Sequence, residues 1–161
     1  MLWGITLILS ENEYRIILTW GEEPRDLDSH LTYYVNDEKV MHVYYAHKTG
    51  KYEDETIAKL NLDDVTSYGP ETVTITLNTD TLEGGVFKYS VHNYTGRGKK
   101  NSTDLSNSGA MIRVYKGNNL IDTFAVSLDN EGNVWHVFNL DKEGVTFYNE
   151  FYDEASASAV E

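Results

Sequence analysis

Short runs rich in Val, Ile, Thr, Tyr and Phe recur along the whole chain, and Asn, Asp, Gly and Glu break them. β-branched and aromatic side chains suit a pleated, half-buried surface, and the breakers mark turns. The pattern predicts strands near 4–9, 14–20, 27–35, 40–45, 57–63, 72–78, 86–93, 110–116, 121–127, 133–140 and 145–148. No segment carries a persuasive 3.6-residue apolar stripe. Short strands at this spacing imply an all-β fold, an antiparallel β-sandwich of jelly-roll or Ig-like type. The sandwich is expected to occupy residues 1–149 as a single domain. Residues 150–161, which end in Ala and Ser, read as a C-terminal tail or linker.

Turn residues sharpen this reading. Glu11-Asn12-Glu13, Gly117-Asn118-Asn119 and Asp129-Asn130-Glu131-Gly132 are placed between strands, where Gly and Asn accept positive φ. Asp37-Glu38 is expected to centre a hairpin. Without a bulge, that hairpin pairs Val35 with Val40, Tyr33 with His42, and His30 with Tyr45. His30 and His42 then point to opposite faces. Tyr34 and Tyr45 share one face with His30, Met41 and Val43, and Tyr33 and Tyr44 share the other with Leu31, Val35 and His42. The longest polar stretch, Thr95 to Ser108, holds the one basic cluster, Arg97, Lys99 and Lys100, and reads as a solvated loop.

Composition narrows the partners. In 161 residues there are 26 acids against 13 Lys and Arg, a formal net charge of -13. That field repels phosphate backbones and anionic lipid, so neither nucleic-acid binding nor membrane insertion is expected. No apolar run approaches the roughly 18 residues of a membrane span. Cysteine is absent, which excludes disulfides, thiolate metal sites and cysteine nucleophiles. The first ten residues carry no basic leader, so an exported parent would hold its signal elsewhere.

The acids fall into two informative segments. In Asp26-Leu27-Asp28-Ser29-His30, an extended strand puts Asp26, Asp28 and His30 on one face. Its carboxylates then lie about 7 Å apart, at ~3.3 Å rise per residue. Like charges at that spacing repel, and a bound cation removes the penalty; hard oxygen ligands favour calcium. In the second segment, Asp63-Asp64 ends a strand and Glu71 follows a turn. Asp63, Asp64 and Glu71 can fold back towards the first pair, with loop carbonyls completing six to eight oxygens. The same acids also suit turn caps and backbone N–H acceptors. The EF-hand pattern is missing.

Recognisable catalysis is absent. There is no His-Glu-x-x-His helix, no Gly-x-Ser-x-Gly elbow and no P-loop, and Gly84-Gly85 precedes a strand rather than a helix. The five histidines form no metal-ligand pair and read as hydrogen-bonded framework residues, with His30 beside Asp28 the exception. Tyrosines are plentiful. Exposed rings such as Tyr34, Tyr45 and Tyr68 could stack on sugar C–H faces, although Tyr also suits sheet packing.

Several phrases occur together and in order: Leu18-Thr19-Trp20-Gly21, Asp26 to Leu31, His42-Val43-Tyr44-Tyr45, Leu62-Asp63-Asp64, Tyr68-Gly69-Pro70-Glu71-Thr72 and Tyr89 to Tyr94. Ser108-Gly109-Ala110, Val114-Tyr115 and Trp135-His136-Val137-Phe138 follow. From about residue 14 to 149 this resembles the YfaP-like bacterial surface and periplasmic domains of unknown function. The Asp-Leu-Asp opening is also locally similar to the calcium-binding segment of pre-peptidase C-terminal β-sandwich domains, but Ser29-His30 stands where those domains carry apolar residues. The resemblance implies a non-catalytic β-sandwich that is secreted, at the cell surface or periplasmic, within a larger multidomain protein. It strengthens Asp26, Asp28, Asp63, Asp64 and Glu71 as one calcium-binding set.

The resulting expectation is an accessory module for attachment or recognition, of carbohydrate or another cell-surface polymer. His30, Tyr34, Tyr45 and Tyr68 are its ligand-binding candidates. A structural spacer without a small ligand, and a metal-dependent hydrolase built on His30 and the acids, are the alternatives.

Overall fold

The computed structural model describes residues 12–77 and 82–161; the strand expected at 4–9 and the end of that at 72–78 lie outside them. Eleven strands follow one another: β1 (Glu13–Thr19), β2 (Leu27–Val35), β3 (Glu38–Val43), β4 (Thr49–Tyr52), β5 (Glu55–Leu62), β6 (Glu71–Thr76), β7 (Gly85–Asn93), β8 (Met111–Lys116), β9 (Asn119–Ala125), β10 (Val134–Asp141) and β11 (Gly144–Tyr152). Two antiparallel sheets form, one ordered β4-β5-β6-β1-β8-β9 and the other β11-β10-β7-β2-β3. They pack face to face as a β-sandwich. Among the described residues the one helical element is a single 3-10 turn at Ala157–Ala159.

Alternation explains the core. In β1, Tyr14, Ile16 and Leu18 turn inward while Arg15 and Ile17 turn out. Facing them, Leu27, Leu31 and Tyr33 of β2 and Phe87, Tyr89 and Val91 of β7 fill the other sheet's inner face. Tyr33 stacks on Phe87 at 4.3 Å between centroids. The short strand β4 escaped the sequence reading because Thr49-Gly50-Lys51-Tyr52 shows no apolar alternation. Gly50 lies against the Met41 and Val43 side chains, where a Cβ would collide.

The β2–β3 hairpin differs from its expected register. Asn36 (φ 52) and Asp37 (φ 63) are the two left-handed residues, so the turn centres there and Val35 pairs with Glu38. A type I′ hairpin turn needs positive φ at both central positions, which Asn and Asp adopt more readily than Glu. The register then shifts again, so that Tyr33 faces Met41, Thr32 faces His42 and Leu31 faces Val43. Together the changes move His42 onto the His30 face and send Met41 and Val43 to the core. The expected separation of His30 from His42 is therefore corrected.

The C-terminal residues are strand and packed coil rather than a frayed end. β11 runs on to Tyr152, and the segment after it returns over the outer face of β2 and β7. The Ser90 hydroxyl donates to the Glu161 carbonyl at 3.0 Å, the Tyr152 hydroxyl donates to the same oxygen at 2.8 Å, and the Tyr34 hydroxyl donates to the Glu161 carboxylate. Val160 is fully buried. This cover leaves β2 buried on both faces from Leu27 to Tyr33. Val160→Ala is expected to cost about 1–2 kcal/mol in urea unfolding, against no change for a dangling residue.

Candidate metal centre

Asp28 lies on the outer face of β2, paired across the ladder with His92 of β7. Asp26 stands just before the strand. Its backbone carbonyl accepts from Tyr94 N (3.1 Å) and Thr95 N (3.4 Å), and its own N–H donates to Thr95 Oγ1 at 2.9 Å. Glu71 is the first residue of β6 and occupies an inward position in the β6 alternation, which explains its complete burial. From there it crosses to the other sheet and accepts the Ser29 N–H on Oε1 at 2.7 Å. Carboxylate oxygens of Asp26, Asp28 and Glu71 lie within 4.8 Å of one another. Asp63, just past the end of β5, borders the same pocket as Asp26 and Asp28, and its charge acts on both Asp28 and Glu71.

One oxygen of each acid is buried without a hydrogen-bond partner: Asp26 Oδ1, Asp28 Oδ2, Asp63 Oδ1 and Glu71 Oε2. Lys48 Nζ is 3.5 Å from Asp63 Oδ2, a side chain about half exposed. Full ionisation of such a cluster is costly. At 4.8 Å each carboxylate pair repels by on the order of 3 kcal/mol at an effective dielectric of ~20. Burial, and then the Asp26 charge, push Asp28 up to about 8. Burial, and then the Asp28 charge, push Glu71 up to about 10. Burial also raises Asp26. Asp64 is turned aside, because its Oδ1 accepts from Thr66 N at 2.9 Å and Thr66 Oγ1 at 2.6 Å. Asp64 thus caps a turn through one oxygen while its charge still acts on Asp26; Asp26, Asp28 and Glu71 converge, and Asp63 borders them.

The acids open onto a pocket of about 230 Å³ lined by Asp26, Asp28, Tyr45, Asp63, Val65 and Tyr94. Tyr45 and Tyr94 meet edge to face at 5.4 Å, and the Arg97 guanidinium lies 3.9 Å over the Tyr94 ring. Tyr94 and Val65 were not singled out from sequence. The signal for Tyr94 was its position directly after β7, beside the start of β2. A separate polar cleft of about 350 Å³ runs between Pro24, Asn93, Thr95 and Asn107. Lys99 and Asp104 on its rim pair with each other at 2.9 Å. The expected solvated loop over 95–108 is in fact held down in its second half, where Leu105 and Ser106 are buried.

The four ligand-binding candidates separate. Tyr45 stands at the mouth of the acidic pocket. Tyr34 lies far along β2 under Glu161, with Lys88 Nζ 4.4 Å above its ring. Tyr68 is in the turn before β6, largely exposed, with its N–H on the Gly21 carbonyl. His30 is buried in a ring cluster: its Nδ1 is 2.9 Å from His42 Nε2, it stacks on Tyr44 at 5.2 Å and meets His92 edge-on at 5.6 Å. Burial holds His30 well below the ordinary histidine range and His42 down at about 4. His30 and His42 are therefore neutral at pH 7, and His30 Nε2 and His92 Nδ1 stay buried without a hydrogen-bond partner.

No protein-family model matches this chain, and no curated protein matches it. Among solved structures it is similar to a crystal structure of a protein of unknown function, SAV2460, at a TM-score of 0.57 and 14% identity, over 94% of this chain and 92% of that one. At that identity the likeness speaks for the fold alone.

Proposed function

We propose that this chain is a non-catalytic binding module organised around a divalent-cation site, with calcium as the ion. The observation that carries this is the convergence of Asp26, Asp28 and Glu71, each with a buried, unpartnered carboxylate oxygen, beside Asp63, which borders the same pocket with another. Buried like charges are retained only at a cost, and a cation removes it. All four donors are hard oxygens without nitrogen or sulfur, the set calcium prefers. The ion joins the start of β2 to the end of β5 and the start of β6 and so orders the loops there. The module's role is attachment to a polysaccharide or other cell-surface polymer, as part of a larger protein that is secreted, on the cell surface or periplasmic. Millimolar extracellular calcium would keep such a site filled. A hydrolase built on His30 is disfavoured, since that ring gives its Nδ1 to His42 and is not among the residues that converge with Asp26, Asp28 and Glu71.

Calorimetric titration of calcium into chelator-treated full-length chain at pH 8 tests this reading. One equivalent is expected to bind, and Asp28→Asn is expected to weaken it at least tenfold. Absence of calcium binding to the parent chain rejects the proposal.

A further inference from the structure

We propose that the cation does more than brace the fold: its open coordination positions take two adjacent hydroxyls of a neutral sugar ring packed on Tyr45, with Tyr94 at its side. This inference rests on the cation reading above.

Direction is the first argument. Glu71 reaches the cluster from the core side, whereas Asp26, Asp28 and Asp63 line the pocket. Their four unpartnered oxygens fall short of the six to eight that calcium takes. The remaining positions therefore face the pocket, where water or a ligand supplies the oxygens. At about 230 Å³ the pocket is below the usual drug-sized range of ~300–1,000 Å³ and suits one small ring.

Charge selects the ligand class. Asp26, Asp28, Glu71 and the bordering Asp63 around a divalent ion leave two negative charges, which Lys48, Arg97 and Arg25 oppose at close range. The chain as a whole nonetheless carries a net -13. Phosphate, sulfate and uronate groups are repelled by that field. A vicinal diol supplies two hard, neutral oxygens at one ring edge and avoids the penalty.

The walls supply the rest. Tyr45 is 36% exposed although it sits beside buried Tyr44, which it meets edge-on at 5.2 Å. One face of Tyr94 is covered by Arg97, so Tyr45 is the free platform and Tyr94 the wall that orients it. Sugar C–H groups carry slight positive charge and pack on the electron-rich face of such a ring. Val65, 55% exposed, extends the apolar rim. The Asp26 carbonyl holds the Tyr94 N–H, so one residue contributes to the ion through its side chain and positions the wall through its backbone.

The test is affinity electrophoresis of the full chain through gels containing mannan, galactan, xylan or β-glucan, with polygalacturonate as the anionic control, in calcium and in chelator. Retention by at least one neutral polysaccharide in calcium, lost in chelator, is expected. Tyr45→Ala is expected to lose tenfold or more of that retention while keeping the calcium-induced rise in melting temperature. Calcium-loaded protein that is retarded by no neutral polysaccharide overturns the sugar site and leaves the cation site standing. Retardation by polygalacturonate alone, retention that persists in chelator, or retention indifferent to Tyr45→Ala also overturns it. If calcium leaves the melting temperature of the parent chain unchanged, both the cation and the sugar readings fall.

Discussion

Calcium at about a hundred times its dissociation constant is expected to raise the melting temperature of the metal-free protein at pH 8 by roughly 5–10 °C. Binding to the native state alone stabilises by ~2.7 kcal/mol at that ratio, and a domain of this size gains about 2–4 °C per kcal/mol. The rise should shrink to under about 2 °C at pH 5. The reason is the state of the acids. The folded pKa of Asp28, about 8, lies above its ordinary value of 3.8, so the folded chain holds that proton more tightly than the unfolded chain. The stability this proton confers is complete below pH ~4 and is lost as pH rises through about 8. Glu71, raised to about 10 from 4.5, behaves the same way over a window that reaches further into base. Without calcium, then, these acids make the protein less stable from pH 5 to pH 8, and calcium reverses that trend. At pH 5 the ion has to displace protons from both groups. Asp28→Asn carries a built-in control, because the metal-free variant is expected to melt at or above the parent at pH 8 while losing the calcium response. Scanning calorimetry at the two pH values reads all of this. A calcium shift of equal size at pH 5 and pH 8 contradicts the assignment.

Phe87→Ala is expected to destabilise the fold by about 3–5 kcal/mol, the cost of emptying a large buried aromatic site. Phe87 is fully buried on β7, the central strand of its sheet, and stacks on Tyr33. Strand neighbours on both sides leave little room for collapse, which places the loss towards the upper end. Against a typical total of ~5–15 kcal/mol, this variant stands near the unfolding threshold. Phe147→Ala on edge strand β11, where the side chain is 46% exposed, should cost about a third as much or less. Urea midpoints of the two variants, with calcium absent from both, give the comparison. Equal losses would mean that the core is not centred on β7.

Much of the architecture was legible because β-branched and aromatic runs suit a sheet and the turn residues between them bound each strand. β2 and β7 were delimited to within a residue on that basis, although both are largely buried on two faces. The acids were legible for a different reason. Asp26 and Asp28 are two residues apart, so an extended chain has to put them on one side, and adjacent Asp63-Asp64 at a strand end invited a partner. What spacing could not separate was Asp63 from Asp64. Neighbours in a chain diverge, and Thr66 two residues on gave Asp64 a local hydrogen bond to make. The histidine cluster was hidden by the hairpin. Moving the turn from Asp37-Glu38 to Asn36-Asp37, with a bulge after it, changed which side of the sheet His42 occupies. The C-terminal segment was opaque, since Ala and Ser announce neither burial nor exposure and its apolar anchors, Ala157 and Val160, belong to no pattern.

Glu71 reaches from one layer of the sandwich to the backbone of Ser29 in the other. A chain with no cysteine cannot rivet its layers together covalently. The ion proposed between Glu71 and Asp28 would be a removable rivet at that seam, set where calcium is abundant and withdrawn where it is scarce. In a chelating medium the acid-lined end should loosen first, exchanging its amide hydrogens there while the phenylalanine-packed centre stays closed.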